Sequence, residues 1–163
     1  MESDTIIKEF KNRKAERDYF IESRYEAGIV LKGTEIKSIR SGKLNFKDAY
    51  AIIKNGEMWL LNLHIAAYEK DGYSISKGGA FGIHEPERKR KLLLHKREIN
   101  RLEKKVQEKG YSLIPLRIYI IKRGFAKIEI ALARGKKMYD KREKLREKED
   151  ARQIEINWKR RRA

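Results

Sequence analysis

Cysteine is absent from the 163-residue sequence, and proline occurs only twice. Without cysteine the chain has no disulfide framework and no thiolate metal site, which is typical of the reducing cytosol. Long apolar runs are absent as well, and a helix that spans a bilayer needs about 18 or more consecutive apolar residues. Residues 1–10 lack the apolar stretch of a secretory signal peptide. We therefore expect a cytoplasmic protein with no membrane partner.

Charge of one sign dominates the sequence, since 41 Lys and Arg residues against 24 Asp and Glu residues give a net charge of +17. Such an excess favours a polyanionic partner, chiefly nucleic acid. The three histidines, His64, His84 and His95, have no recognisable metal-ligand spacing. The glycine-rich run 77–82 lacks the strand–loop–helix context and the Gly-Lys-Ser/Thr ending of a phosphate-binding loop. We therefore expect neither a metal nor a cofactor.

Hydrophobic alternation predicts the first strands. Apolar residues recur at every second position over most of 19–31, which is typical of a half-buried strand. Residues 34–40 are interpreted as a second strand, with its apolar residues inward or bent across a bulge. Further on, Asn55 and Gly56 lie between two apolar runs. This pair predicts a hairpin, because both central residues of the turn must accept a positive φ.

The middle of the chain predicts a loop followed by a long helix. Residues 66–86 are rich in Gly and Ser and are interpreted as a mobile loop. Pro86 stands where a helix can begin and Gly110 where one can end. Residues spaced by three and four positions form one mainly apolar face of this helix: Leu92, His95, Ile99, Leu102 and Val106. The remaining positions form a basic outer surface.

Two further strands complete the predicted body. Residues 111–121 form a long strand candidate, in which Pro115 favours an edge position or a bend. Gly124 lies in the turn that follows, and the alternation on the return strand directs Lys127 away from the core. About six antiparallel strands with one inserted helix predict a mainly β protein that forms a small closed barrel.

The sequence changes character at the junction 135–142. In residues 1–133, apolar residues recur at the spacings typical of strands and helices. Residues 134–163 instead hold thirteen basic and six acidic residues with scattered apolar ones. The second segment has too little apolar surface to fold alone, so we expect a basic tail that is disordered when free and helical only when bound. We therefore divide the chain into a folded body, 1–133, and a tail, 134–163.

Six blocks of sequence, taken together with their order and spacing, resemble one family. They are NRKA at 12–15, YEAGIVL at 25–31, GTEIKS at 33–38, SGK at 41–43, RKLLL at 90–94 and GKKMYDKR at 135–142. The chain resembles the SmpB family, the SsrA-binding proteins that bind tmRNA in bacterial trans-translation. The resemblance implies an OB-fold-like barrel with flanking helices, a monomer in a one-to-one complex with tmRNA, and no catalytic activity.

The resemblance also implies a division of labour between the two parts of the chain. The body binds the tRNA-like domain of tmRNA and delivers it to stalled ribosomes. The tail contacts small-subunit rRNA in the decoding region and in the empty mRNA channel, which allows tagging of the nascent chain and rescue of the ribosome.

In the body, the resemblance assigns tmRNA binding to six residues: Asn12, Arg13, Lys14, Glu26, Leu93 and Lys127. Lys127 can meet a phosphate as a point charge. Glu26 can accept a hydrogen bond from a base edge or a 2′-hydroxyl, or it can orient a neighbouring Arg. The alternative for Glu26 is a surface carboxylate that pairs with a cation across the sheet. For Leu93, a core position and an apolar contact with an unstacked base are both open.

In the tail, the resemblance assigns ribosome binding to seven residues of the junction: Gly135, Lys136, Lys137, Tyr139, Asp140, Lys141 and Arg142. Many relatives carry an imidazole where this chain has Tyr139, and a phenol ring keeps the planar surface needed for stacking. We expect Tyr139 to stack on a base of the decoding centre, the nearby cations to grip phosphates, and Asp140 to cap the induced helix. The alternative is a flexible basic linker.

Two other functions fit the basic composition. A small basic nuclease would need Glu26, Glu35, Asp48 and His64 to meet in one cleft, but no spacing in the sequence brings them together. A nonspecific nucleic-acid coat or a structural protein of the ribosome would carry a similar surface. Such a protein would not discriminate tmRNA from a duplex of equal charge.

Overall fold

The computed structural model describes residues 5–68, 84–108 and 110–161, without the side chains of 138–141, 144 and 161. The predicted loop 66–86 therefore lies largely outside the described residues. In chain order the elements are β1 (Ile6–Lys11), α1 (Arg13–Asp18), β2 (Tyr19–Ile29), α2 (Gly33–Arg40), β3 (Leu44–Asn45), β4 (Tyr50–Lys54), β5 (Glu57–Leu61), β6 (His64–Ile65), β7 (Arg90–Leu93), α3 (Lys96–Gln107), β8 (Tyr111–Ile121), β9 (Ala126–Gly135) and α4 (Met138–Arg161).

Six of the strands close into a barrel. The order around the ring is β8, β4, β5, β7, β2 and β9, and β9 pairs with β8 to complete it. The pairings are antiparallel, and β1 adds to β8 outside the ring. The short strands β3 and β6 form a separate pair. The mainly β, OB-fold-like closed barrel of about six strands predicted from the sequence is confirmed.

The barrel interior holds the main hydrophobic core. Leu60, Ile118 and Ile128 are fully buried there, and α3 contributes Leu102. Burial of each such side chain stabilises the fold by about 1.5–3 kcal/mol. A second, smaller cluster lies outside the barrel, where Ala15 of α1 packs against β8 and β9. Helix α1 thereby covers part of the outer surface of these two long strands.

Two local signals predicted their elements correctly. The alternation over 19–31 corresponds to β2, in which Ala27 and Ile29 are buried between more exposed neighbours. The hairpin at Asn55 and Gly56 joins β4 to β5, and both residues have positive φ, 53° and 71°. Both signals act over a few residues only, so distant contacts do not override them.

The predicted strand over 34–40 is wrong, because these residues form helix α2. The Lys32 backbone N–H donates to a carboxylate oxygen of Glu35 at 2.7 Å and so caps the first turn. Ser38 and Ile39 are buried together with Glu35, and their spacing of three and four positions is helical. The pattern of apolar residues alone does not reveal that a carboxylate is buried.

Helix α3 is shorter than predicted, because it begins at Lys96 and not at Pro86. The segment Arg90–Leu93 forms strand β7 instead, and Leu92 packs in the barrel core. Arg90 is fully buried and donates to the backbone carbonyls of Leu63, Pro86 and Arg88, which holds this segment in place. These tertiary contacts override the helical spacing of the apolar residues.

Pro115 lies within a strand that has partners on both sides, so the predicted edge position is wrong. The alternative, a bend, is present as a shift in the register of β8 against β9 between Pro115 and Arg117. Asn12 stabilises this point, because its side chain donates to the Pro115 carbonyl at 2.9 Å and its backbone N–H donates to the Leu116 carbonyl at 2.7 Å. Asn12 thereby joins the β1–α1 connection to β8.

The tail forms helix α4, so the prediction of a disordered free tail is corrected. Lys, Arg and Glu are strong helix formers, and Lys159 donates to Glu155, four residues earlier, at 2.8 Å. The described side chains of α4 are exposed, so local propensity supports this helix and burial does not. Neither α4 nor any other helix in the described ranges combines the length and apolarity needed to cross a membrane.

Candidate nucleic-acid interface

Three residues predicted to bind RNA lie together on the outside of the barrel. Leu93 of β7 pairs with Gly28 of β2, Gly28 pairs with Lys127 of β9, and Lys127 pairs with Tyr119 of β8. Glu26 precedes Gly28 by two residues and so lies on the same side of β2. We call the surface formed by Glu26, Gly28, Leu93, Tyr119 and Lys127 the outer face.

Glu26 is held through both oxygens of its carboxylate. Lys127 Nζ donates to Oε1 at 2.9 Å, and the Tyr119 hydroxyl donates to Oε2. Burial and the nearby Glu26 charge raise the pKa of Tyr119, so this phenol remains a donor. The Glu26 side chain is still 56% exposed. The pairing with a cation across the sheet is thus present, and the contact of Glu26 with RNA stays a prediction.

A second charged network adjoins the outer face. The carboxylate of Glu129 accepts hydrogen bonds from Arg117 and, at 3.2 Å, from Arg24. Arg117 also donates to Glu9 at 2.6 Å, which holds the pKa of the Glu9 carboxyl below its ordinary value. The Arg117 guanidinium lies 5.1 Å from the centre of the Tyr119 ring. These contacts fix the orientation of the Tyr119 side chain.

Sequence reasoning missed Tyr119, Arg117 and Glu129 as residues of the site. In the sequence, each of them is a charged or phenolic residue within a strand that is otherwise mainly apolar. Such a signal shows that a side chain needs a polar partner. It does not show which partner, because that depends on the register between β8 and β9.

Leu93 is 54% exposed, which excludes a core position and leaves the apolar contact with a base as a prediction. Its strand is anchored by a buried ion pair, in which Arg90 Nε donates to Glu35 Oε1 at 2.9 Å and Arg88 Nη2 donates to Oε2 at 2.6 Å. Burial alone would raise the pKa of Glu35, but hydrogen bonds from Arg88 and the Lys32 backbone hold that pKa below its ordinary value. The anchor therefore contains a charged carboxylate.

The N-terminal block lines a separate cleft between α1 and residues 44–49, with a volume of about 550 Å³. We call it the α1 cleft, and its wall contains these cationic side chains: Lys11, Arg13, Lys14, Arg17 and Lys47. Ile114 of this cleft and Tyr119 of the outer face are five residues apart on β8, which is about 17 Å along a strand. The predicted tmRNA-binding residues therefore fall into two groups on the body.

The junction is fixed to the body at Lys136. Strand β9 ends at Gly135, two residues beyond the predicted body, and the Lys136 backbone N–H then donates to the Asp18 carbonyl at 2.9 Å. Lys136 Nζ donates to the Glu16 carbonyl at 2.9 Å, and the residue is only 7% exposed. A contact between Lys136 and a ribosomal phosphate stays a prediction, and it requires Nζ to leave that carbonyl.

Helix α4 begins directly after Lys137. Lys137 and Arg142 are exposed, whereas the side chains of Tyr139, Asp140 and Lys141 lie outside the described part of the structure. Asp140 falls in the first turn of α4, where the helix dipole favours a negative charge. Stacking by Tyr139 and phosphate contacts of the neighbouring cations stay predictions.

The four residues that a nuclease would use do not converge. Glu35 is buried against Arg90, Glu26 lies on the outer face, and Asp48 lines the α1 cleft. His64 belongs to the β3–β6 pair. Across the described ranges, no group of three or more His, Asp or Glu residues is arranged to hold a metal ion.

Comparisons with known proteins agree with this geometry. The model of the SmpB family, described as SmpB protein, matches residues 9–160. The SsrA-binding protein of Shouchella clausii is 58% identical over 145 residues, which cover 89% of this chain and 87% of the relative. The SsrA-binding protein of Carboxydothermus hydrogenoformans is 55% identical over 145 residues, which cover 89% of this chain and 91% of the relative.

A solved structure extends the comparison to three dimensions. It is described as "tmRNA-SmpB: a journey to the center of the bacterial ribosome", and one of its chains is 50% identical with a TM-score of 0.64. The match covers 80% of this chain and 85% of that chain. On the evidence of the family model and the two relatives, this chain belongs to the SmpB family.

Proposed function

We propose that this protein binds the tRNA-like domain of tmRNA and delivers it to stalled ribosomes. There its tail occupies the decoding region and the empty mRNA channel, which allows tagging of the nascent chain and rescue of the ribosome. Its partners are tmRNA, bound by a monomer in a one-to-one complex, and the ribosome with its small-subunit rRNA. It acts in the cytoplasm and catalyses no reaction.

One observation carries this proposal: Glu26, Leu93 and Lys127 converge on the outer face of a chain that belongs to the SmpB family. The ammonium of Lys127 can meet a phosphate. The carboxylate of Glu26 can accept from a ribose 2′-hydroxyl or a base amino group, and a 2′-hydroxyl distinguishes RNA from DNA. Because Lys127 Nζ lies 2.9 Å from Glu26, it offsets the repulsion between that carboxylate and the RNA backbone.

The α1 cleft supports a folded RNA as the partner. Arg13 and Lys14 are exposed there, and Ile114 of the same cleft lies about 17 Å along β8 from Tyr119 of the outer face. A structured RNA domain can contact both surfaces at once, whereas a single nucleotide reaches only one. Two separated contacts also fix the orientation of the bound RNA, which delivery to a ribosome requires.

The tail supports a second RNA contact, with the ribosome. Helix α4 has 24 residues and therefore spans about 36 Å. Its described side chains are exposed and many are cationic, so the helix suits a groove lined by phosphates. We place Tyr139 against a base of the decoding centre and Lys137, Lys141 and Arg142 against neighbouring phosphates. Asp140 then stabilises the start of the helix.

Sequencing the RNA that copurifies with the protein tests the proposed partner. Recovery of one structured, tRNA-like RNA is expected from the wild type, and recovery should fall for the double variant Glu26→Ala with Lys127→Ala. The matched control is Glu57→Ala with Lys54→Ala, which removes one charge of each sign from the β4–β5 hairpin. Recovery of unselected RNA in proportion to its abundance would support a nonspecific coat instead.

An RNA-cleavage assay tests the nuclease alternative. We expect the tRNA-like RNA to remain intact with and without divalent metal, because the carboxylates and His64 occupy separate sites. Metal-dependent cleavage that copurifies with the wild type and disappears in Glu26→Ala would contradict a purely binding function.

A further inference from the structure

Lys136 is a buried lysine in the short connection between β9 and α4. It is 7% exposed, whereas Gly135 before it and Lys137 after it are exposed. A lysine is almost never buried unless its ammonium has a partner, because a charge that is removed from water loses its hydration. The partners of Lys136 therefore indicate what its burial achieves.

Lys136 satisfies carbonyl groups at the C-terminal end of α1. The last carbonyls of a helix have no partner within that helix. In α1, the Tyr19 N–H donates to the Ala15 carbonyl. Lys136 Nζ donates to the Glu16 carbonyl at 2.9 Å, and the Lys136 N–H donates to the Asp18 carbonyl at 2.9 Å. The ammonium thus lies at the helix end where the dipole favours a cation.

The ring of Phe20 provides a further contact for Lys136. Lys136 Nζ lies 5.0 Å from the centre of this ring, within the range of a cation–π interaction. Phe20 follows α1 directly and pairs with Arg134 in the β2–β9 ladder. Both the backbone and the ammonium of Lys136 are therefore held by the segment in which α1 continues into β2.

The place of Lys136 in the chain determines what these contacts can control. Helix α4 begins at Met138, so Lys137 alone separates this helix from Lys136. The described side chains of α4 are exposed, and α4 adjoins α1. A helix of 24 residues is about 36 Å long, so a rotation of about 10° at its base displaces its far end by about 6 Å. The direction of α4 is therefore sensitive to the contacts at its base.

We propose that Lys136 is a positioning residue, which sets the direction in which α4 leaves the body through its bonds to the C-terminal end of α1. This inference rests on the proposed function, because it gives the ribosome-binding tail a fixed direction before the ribosome is met. A helix that is already directed loses less conformational entropy on binding. The alternative is a direct contact between Lys136 and a ribosomal phosphate, which would break the bond to the Glu16 carbonyl.

The distance between two spin labels on the free protein tests the direction of α4. Because the sequence contains no cysteine, labels attach only at introduced cysteines, for which we choose Lys54→Cys on the β4–β5 hairpin and Gln153→Cys on α4. At Gln153, a rotation of about 10° corresponds to a displacement of about 4 Å. Lys136→Met keeps the aliphatic stem without the ammonium and should shift or broaden the distance distribution on this scale. The matched control Lys137→Met, which removes the neighbouring exposed cation, should leave the distribution unchanged.

A tagging assay on stalled ribosomes, at subsaturating protein, connects the direction of α4 with function. Lys136→Met should tag less than the wild type. Its affinity for the tRNA-like RNA should be unchanged, because Arg13 and Lys14 of the α1 cleft lie at the opposite end of α1. The salt dependence of ribosome binding separates the two possible roles of Lys136. Loss of a phosphate contact reduces the slope of log K against log salt by about 0.7–0.9, whereas loss of positioning leaves that slope unchanged.

Phe20→Ala is a second variant, which retains Lys136 and its charge. It removes the ring beside the ammonium, so it should also shift or broaden the distance distribution, again without a change in the salt slope. Thermal unfolding of each variant measures whether the body stays folded. Phe20→Ala keeps the test decisive if Lys136→Met does not fold.

The failure of this inference differs from the failure of the proposed function. If Lys136→Met and Phe20→Ala both keep the wild-type distance distribution, or if Lys136→Met tags as well as the wild type, Lys136 does not position α4. An unchanged distribution with a reduced salt slope would assign Lys136 to a phosphate instead. If the wild type neither binds the tRNA-like RNA nor tags nascent chains, the proposed function fails, whereas the distances in the free protein remain valid.

Discussion

Tyr119 is the residue on which the geometry of the outer face depends most directly. It is 3% exposed, its hydroxyl donates to Glu26, and its ring lies against the Arg117 guanidinium. Because Tyr119 and Lys127 each hold one oxygen of the Glu26 carboxylate, that carboxylate is oriented before any ligand arrives. A preorganised group loses less conformational entropy on binding.

Tyr119→Phe removes the hydroxyl and keeps the ring. We expect the free energy of unfolding to fall by about 1 kcal/mol, the usual net contribution of one hydrogen bond. Affinity for the tRNA-like RNA should fall as well, because Glu26 loses one of its two supports. Urea unfolding and RNA titration measure the two effects, with Tyr25→Phe as the matched control. Wild-type affinity in Tyr119→Phe would contradict a role for the Tyr119 hydroxyl in orienting Glu26 for RNA binding.

Glu35→Gln tests the buried anchor beneath β7. We expect the free energy of unfolding at pH 7 to fall by about 3–5 kcal/mol, because Arg90 would remain buried without its counter-charge. The exposed carboxylate in Glu57→Gln, which pairs with Lys91, is the control and should change stability by less than about 1 kcal/mol.

The same anchor predicts a pH dependence. The folded-state pKa of Glu35 is lowered, so its contribution is complete above the unfolded-state value of about 4.3 and is lost as the pH falls through the folded-state pKa. Wild-type stability should therefore fall more steeply with acid than that of Glu35→Gln. Parallel stability profiles of the two proteins from pH 7 to pH 3 would contradict a charged, stabilising Glu35.

At the scale of elements, the joint between β9 and α4 lies close to the predicted boundary between body and tail. Phe20 pairs with Arg134 and Tyr19 pairs with Gly135, and Lys136 is bonded to α1. The body therefore needs residues beyond Ala133 to complete its sheet. The contacts with the sheet and with α1 therefore extend three residues beyond the predicted boundary at Ala133, to Lys136.

Two truncations test this joint. A chain that ends after Lys137 should keep the stability and RNA affinity of the body and lose tagging on stalled ribosomes. A chain that ends after Ala133 should bind RNA too, but with stability lower by about 1–3 kcal/mol, because the last strand pairs and the Lys136 contact are gone. Thermal unfolding, RNA titration and a tagging assay separate the effects. Loss of RNA affinity in the longer truncation would contradict the division of labour.

Tyr139→Ala tests the start of α4. We expect impaired tagging with normal binding of tmRNA, because stacking contributes about 1–3 kcal/mol per base and acts only on the ribosome. Tyr139→His should largely restore tagging, since the imidazole is also planar. The control Lys159→Ala removes one exposed cation near the end of α4 and distinguishes stacking from net charge. Equal tagging by the wild type and Tyr139→Ala, at subsaturating protein, would reject the contact.

The elements that the sequence predicted well are those with short-range signals. The Asn55–Gly56 turn and the alternation of β2 depend on neighbours a few residues apart. Helix α2 and strand β7 were mistaken because their state depends on Glu35 and Arg90, which lie 55 positions apart and meet only in the folded barrel.

In the candidate site, too, only the features with short-range signals could be predicted from the sequence. Lys127 was directed outward correctly by the alternation of its own strand. The resemblance assigns Lys127 and Leu93 to the same RNA, but their proximity depends on the pairing of both strands with β2, which the sequence does not show. The contact of Tyr119 with Glu26 depends on the register of β8, β9 and β2.

For the whole molecule, which carries a net charge of +17, cationic residues contribute to three described surfaces with different geometry. The outer face combines Lys127 with Glu26 and apolar groups, the α1 cleft is mainly cationic, and α4 is an exposed basic helix. Cationic contacts release counterions and supply affinity for any nucleic acid. We therefore predict that selectivity for one RNA comes from the outer face, where contacts other than charge are available.

The affinity of the full-length protein for the tRNA-like domain and for a duplex of equal charge, measured as a function of salt, tests this claim most directly. We predict tighter binding of the tRNA-like RNA at every salt concentration. Lys127→Ala should weaken that binding and reduce the slope of log K against log salt by about 0.7–0.9, the value of one phosphate contact. The exposed Lys54→Ala on the β4–β5 hairpin should leave affinity for the tRNA-like RNA unchanged. Equal affinity for the two RNAs, or an unchanged slope in Lys127→Ala, would contradict recognition through the outer face.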